Sequence, residues 1–189
     1  IYDRDSLVIY PPVDTKKFTF NADKEEFYLT ASRLVPYKKT KLIVEAFNEM
    51  SDKKLIVIGS GEDYESIKKT AKENVSVLGF CEDEVLIDYM QKTKAFVYAA
   101  VEDFGIVPIE AFACGTPVIA LDYGGTAETV IDGVNGVHFK KQTKEDIIDA
   151  LYEFERKTFD LSQISKDAQN YNTQRFKEEI KEFINSFEV

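Results

Sequence analysis

Two carboxylates, Glu102 and Glu110, bracket a glycine-containing loop and the helix that it opens, within the stretch Tyr98 to Val130. Acids so placed can serve as acid and base on one glycosidic bond, or each can accept hydrogen bonds from the hydroxyls of a ligand. Between them Gly105-Ile106-Val107 starts a helix, and the unpaired amides and positive dipole end of a helix start favour a phosphate. Glu110 lies about one turn inside that helix, in the apolar run IVPIEAFAC, facing the same crevice as Glu102. An unpaired buried acid costs on the order of several kcal/mol, so it should bind hydroxyls or hold an ion-pair partner.

Three other loops carry suitable chemistry. Arg33-Leu-Val-Pro-Tyr-Lys38-Lys39 follows the apolar run FYLTAS, and a guanidinium with one or two ammonium groups at a strand end can clamp phosphate. Gly59-Ser60-Gly61 follows KLIVI, where glycines permit a tight turn or a close approach of backbone to ligand. The third glycine of a dinucleotide fingerprint would fall at Tyr64, which disfavours a nicotinamide-dinucleotide site. Phe80-Cys81-Glu82 offers backbone groups and an aromatic ring to a flat base.

These loops need a scaffold, and the chain supplies one. Apolar runs Leu7–Tyr10, Phe27–Ser32, Lys54–Gly59, Val75–Phe80, Ala95–Ala100, Pro117–Asp122 and Gly136–Phe139 read as strands. Helical periodicity falls between them at 39–50, 62–72, 82–91, 106–113 and 127–131, and everything from Thr143 onward is helical. Alternating strands and helices with nearly continuous apolar strands predict a doubly wound, Rossmann-like parallel α/β sheet with C-terminal helices, forming one domain over residues 1–189. In such sheets ligands sit at the carboxyl ends of the strands, which selects the loops that begin at Ser32, Gly59, Phe80, Ala100 and Asp122.

Composition narrows the function further. The formal net charge of −10 argues against a nucleic-acid partner, which would call for a basic stripe. Cys81 and Cys114 form no CxxC pair and read as plain buried thiols. There is no Asp-x-Asp pair suited to a divalent ion, so no metal site is expected. His138, the sole histidine, reads as a strand-end residue rather than a base. The first residue is not Met and a strand pattern begins almost at once, which reads as a fragment of a longer polypeptide.

Taken in order, YPPVDTKKF, RLVPYKK, VIGSGED, VLGF, EDFGIVPIEAFACGTPVIA and YGGTAETVIDGVNGVHF resemble the donor-binding, C-terminal half of a retaining nucleotide-sugar glycosyltransferase of family 4, with the GT-B fold. VPYKK followed by EDFGIVPIEA is similar to mannosyltransferases of bacterial surface-polysaccharide assembly. The resemblance implies that Arg33 and Lys38 hold the donor diphosphate, Glu102 the hydroxyls of the transferred sugar and Glu110 the ribose. It further implies that the amides of Gly105, Ile106 and Val107 meet the phosphate, the backbone at Cys81 meets the base, and Gly59, Gly61 and Phe104 belong to the donor site. Many relatives have Gly after the clamp lysine where this chain has Lys39, so Lys38 and Lys39 both stay open as the phosphate ligand. The implied substrate is a GDP-sugar or UDP-sugar, used without metal or cofactor, and the implied acceptor is a saccharide or lipid-linked glycan. The acceptor lobe would be N-terminal and absent from this chain, leaving it inactive alone. The location implied is cytoplasmic, at the inner face of the membrane as a peripheral protein. Two other readings stand beside this one: a glycoside hydrolase or phosphorylase using Glu102 and Glu110, and a non-catalytic nucleotide-binding module.

Overall fold

In the computed structural model, which describes residues 6–186, six apolar runs become strands: β1 (Glu25–Ala31), β2 (Leu55–Ile58), β3 (Val75–Gly79), β4 (Thr93–Tyr98), β5 (Val118–Leu121) and β6 (Gly136–Phe139). They form one parallel sheet in the order β3-β2-β1-β4-β5-β6. The connecting helices are α1 (Thr40–Phe47), α2 (Tyr64–Thr70), α3 (Asp83–Lys92), α4 (Ile106–Ala113) and α5 (Gly125–Thr129), followed by α6 (Lys144–Phe154), α7 (Leu161–Asp167) and α8 (Thr173–Asn185).

The period of two along each strand divides the core. Val57, Val97, Ile119 and Val137 point to one face, packed with Ile43, Phe47, Ile147 and Leu151 of α1 and α6. Leu29, Phe96, Val118 and Ala120 point to the other, against Met90, Ile109, Phe112 and Ile164 of α3, α4 and α7. Because both faces are covered, the central strands β4 and β5 are buried almost throughout, as their unbroken apolar sequence requires. The chain direction across the sheet reverses between β1 and β4, and the crevice at their carboxyl ends is the switch point at which such sheets take ligands.

Two expectations are corrected. Leu7–Tyr10 forms no strand: Leu7 and Val8 are exposed, and the segment runs beside α8, where Arg175 Nη2 donates to the Tyr10 carbonyl at 3.0 Å. The following Pro11-Pro12 removes two ladder donors, and β3 and β6, not this segment, form the edges of the sheet. The tail is also not one continuous helical stretch. Thr143, Asp160 and Asn172 each accept a bond from an amide three residues on, so α6, α7 and α8 start afresh at separate N-caps. Along α8, Phe176 and Ile180 are half-buried while Phe183 and Ile184 are exposed; the predicted stripe ends at Phe187, outside the described residues. Among the described residues no helix is long and apolar enough to cross a membrane.

Candidate functional site

Loops after β1, β2 and β3 and the first turn of α4 enclose a cleft of about 460 Å³, lined by Arg33, Gly59, Gly61, Cys81, Asp83 and Val107 among others. The GSG turn builds this wall by close approach. A Cβ on Gly59 would overlap the carbonyl oxygen of Ser32, and one on Gly61 that of Leu34, while Leu34 N donates to Ser60 O at 2.9 Å. These glycines thus fix the loop that carries Arg33. Arg33 itself is exposed, and its side chain makes no hydrogen bond or ion pair among the described residues, leaving its five donors available. Cys81 lines the cleft and is only half-buried, which corrects the expectation of two buried thiols; Cys114 is fully buried. Phe80, beside it, is 71% exposed.

Across the switch point, Lys38 and Glu102 form an ion pair, with side chains 14% and 26% exposed. Lys38 Nζ also lies 3.5 Å from the Tyr98 hydroxyl, above the rings of Tyr37 and Tyr98. Burial, and then the Glu102 charge, push the Tyr98 phenol well above its ordinary range, so it stays a neutral hydroxyl. The loop geometry explains which lysine faces the crevice. Pro36–Lys38 is a 3-10 turn closed by Lys38 N to Val35 O at 3.0 Å, and α1 begins at Thr40. Lys39 joins the two in the left-handed region, φ 58°, the one non-glycine residue there among the described residues. That is the position at which glycine is the unstrained choice, and the turn before it ends at Lys38, the lysine paired with Glu102.

Glu102 is held from the far side by the Gly-Gly turn. Gly125 N donates to Glu102 O at 2.8 Å, and a Cβ on Gly124 would overlap that same carbonyl. Phe104, which the sequence reading placed in the donor site, turns its ring to an aromatic group: it stacks on Tyr10 at 5.3 Å and meets Tyr171 at 5.6 Å. Its neighbour Gly105, φ 86°, opens α4 with no side chain capping the helix start, so the first amides of Ile106 and Val107 are free of side-chain partners.

Glu110 lies under a different set of charges from Glu102. The charges that act on it are those of Lys17, Asp83 and Asp14, and Lys17 is itself paired with Asp83 on the cleft wall. Burial pushes the Glu110 carboxyl up to about 7, against the pull of Lys17 and helped by Asp83 and Asp14. No hydrogen bond reaches it among the described residues. His138 is half-buried at the strand end, with Nε2 3.2 Å from Thr126 O. A second cleft of about 330 Å³, between Asp14–Lys16 and the start of α8, shares Asp14 with the surroundings of Glu110 but holds none of Arg33, Lys38, Glu102 and Glu110.

Sequence reasoning missed Tyr98, Lys17 and Asp83. Tyr98 looks like any apolar strand residue until β1 and β4 lie side by side, and the Lys17–Asp83 pair joins segments distant in the chain.

A crevice carrying Arg33 and Lys38 thus lies at the switch point of a Rossmann-like sheet, with carboxylates set beside it. Residues 13–185 match the family Glycosyl transferases group 1, and the chain belongs to it. It is 31% identical over 153 residues to an uncharacterized glycosyltransferase of Methanocaldococcus jannaschii, covering 78% of this chain and 43% of that protein. It is 35% identical over 114 residues to a GDP-mannose-dependent monoacylated phosphatidylinositol monomannoside mannosyltransferase of Corynebacterium glutamicum, covering 52% of this chain and 30% of that protein. The fold matches Anabaena HepE in complex with UDP-glucose at a TM-score of 0.80 and 22% identity, over 96% of this chain and 57% of that one. The chain thus spans half or less of the length of these curated relatives.

Proposed function

We propose that this chain is the donor-binding, C-terminal lobe of a retaining hexosyltransferase that takes its sugar from a nucleoside diphosphate sugar. The observation that carries this reading is the meeting of Lys38 with Glu102 across the switch point, beside an open cleft walled by Arg33 and the GSG turn. Cleaving a sugar–diphosphate bond builds negative charge on the diphosphate and positive charge at the anomeric carbon. Arg33, Lys38 and the first amides of α4 are placed for the former, and preorganised donors of this kind contribute on the order of 3 kcal/mol each. Because these cations do the neutralising, transfer should proceed in excess EDTA. Glu102 binds hydroxyls of the sugar, Glu110 those of the ribose, and the backbone at Cys81 faces the base.

The similarity to a GDP-mannose-dependent enzyme supports mannose from GDP-mannose, while the likeness to a UDP-glucose complex makes a UDP-sugar the competing donor. A second, N-terminal lobe supplies the saccharide or lipid-linked acceptor site, and the whole enzyme works peripherally at the cytoplasmic face of the membrane. The hydrolase reading has no support from the site, since Glu102 is paired with Lys38 and not with Glu110. Calorimetry of this chain with GDP, UDP, GDP-mannose and UDP-glucose is the test. Binding of a sugar nucleotide at submillimolar Kd is expected, and no binding by any of the four at millimolar concentration refutes the reading. Binding without transfer by a two-lobe protein would favour a non-catalytic nucleotide module.

A further inference from the structure

The two residues assigned to opposite ends of the donor are bound to each other. Lys38, the diphosphate ligand, and Glu102, the sugar ligand, satisfy one another in an ion pair that is mostly withdrawn from solvent. Neither backbone has room to yield. Lys38 ends a 3-10 turn locked by the left-handed Lys39, and the Glu102 carbonyl is held by Gly125 N, with Gly124 packed against it. Only the side chains can part. Arg33, by contrast, is exposed and unpaired, so an incoming diphosphate meets it first and gains Lys38 only by displacing a carboxylate.

We infer, resting on the donor-site reading above, that the Lys38–Glu102 pair makes the site discriminate against free nucleoside diphosphate in favour of the intact sugar nucleotide. A carboxylate displaced from an ammonium group and left without donors is costly in a half-buried site. An intact donor brings sugar hydroxyls that give Glu102 new hydrogen bonds at the moment Lys38 turns to the phosphate. A free diphosphate takes Lys38 and returns nothing to Glu102. After transfer, the departing sugar strips Glu102 of its donors, the internal pair re-forms, and the diphosphate loses one of its two cationic side chains. The pair therefore assists product release as well as selecting the donor.

The test is calorimetry with GDP and GDP-mannose, and with UDP and UDP-glucose, on wild-type chain, Glu102→Gln, Lys38→Met and the double variant. Thermal melts establish that each is folded. Glu102→Gln should bind free diphosphate about 2- to 5-fold tighter than wild type, in the range set by one partly exposed ion pair, while binding the sugar nucleotide more weakly. In the Lys38→Met background the same Glu102→Gln change should leave diphosphate affinity unaltered, because there is no pair to break. Unchanged or weaker diphosphate binding by Glu102→Gln overturns this inference alone, provided wild type still binds the sugar nucleotide. A gain that persists without Lys38 overturns it too, by making the effect general charge repulsion. No nucleotide binding by the wild type overturns both this inference and the donor-site reading.

Discussion

Glu110→Gln should improve the fold and damage the site, and pH separates the two effects. In the folded chain, burial raises the Glu110 carboxyl from its ordinary 4.5 to about 7. A raised folded value means that the folded state holds the proton more tightly than the unfolded chain. This group therefore leaves stability untouched below pH 4.5 and erodes it as pH rises from there toward 7. The displacement corresponds to about 3 kcal/mol at full ionisation, and the burial cost of the replacing amide leaves a net gain of about 1–2 kcal/mol at pH 8. For a domain of this size that is a Tm rise of about 2–8 °C at pH 8, giving way to a small loss near pH 4.5, where the folded carboxyl is neutral and the burial cost of the amide is no longer offset. Nucleotide affinity runs the other way. A carboxylate binding ribose hydroxyls is about nine-tenths ionised at pH 8 and about one-tenth at pH 6, so wild-type affinity should fall up to about tenfold between them. The variant should show low, pH-independent affinity throughout. Scanning calorimetry at pH 5 and 8, with nucleotide titrations at pH 6 and 8, measures both. A variant whose Tm gain is equal at both pH values, or whose affinity keeps the wild-type pH slope, would refute the assignment of Glu110 as a desolvated ligand of the nucleotide.

Lys39→Gly should raise stability by about 0.5–1 kcal/mol, since relief of left-handed strain outweighs the entropy of the added glycine; Lys39→Ala keeps the Cβ and should give no gain, so equal urea midpoints for the two variants would rule out strain as the cause. Gly125→Ala drives a methyl into the Phe104 backbone and should cost about 2 kcal/mol or more while displacing the Glu102 loop, seen as lost stability and lost sugar-nucleotide binding together. At the opposite end of the sheet, Glu155 accepts from Lys53 Nζ at 2.7 Å and from the Tyr28 hydroxyl at 2.9 Å. Burial pushes its carboxyl up, but these bonds and the Lys53 and Lys94 charges outweigh that and hold it below the ordinary carboxylate range. A lowered folded value contributes stability above pH 4.5 that disappears as pH falls. Glu155→Gln should therefore cost about 1 kcal/mol at pH 7 and converge on wild type below pH 4; a constant deficit down to pH 3 would contradict this.

Much of the architecture could be read from residue patterns because the patterns are local. The unbroken apolar runs from LIVI to VIAL fit only strands covered on both faces, and helix α4 and strand β6 fall at the residues their periodicity marks. The run at Leu7–Tyr10 carries the same signal and forms no strand, because a strand needs a neighbour to bond and the folded chain brings that segment to α8. Residue types likewise carry the proposal of anionic-ligand chemistry at the crevice, through Arg33, Lys38, Glu102 and the glycine-opened helix.

Which of them meet was decided only by tertiary structure. Glu102 and Glu110 lie close in sequence, one in a loop and the other in the helix that follows, yet Glu102 is paired with Lys38 from across the β1–β4 switch while the charges acting on Glu110 are those of Lys17, Asp83 and Asp14. Phe104 belongs to the same loop as Glu102, yet its ring is taken by Tyr10 and Tyr171. The choice between Lys38 and Lys39 rests on a single positive φ. Sequence determined the strands, the helices and the stock of charges, because these follow from neighbours along the chain. Pairing, burial and the proton affinity of Glu110 depend on groups that only the crossing of the sheet brings together.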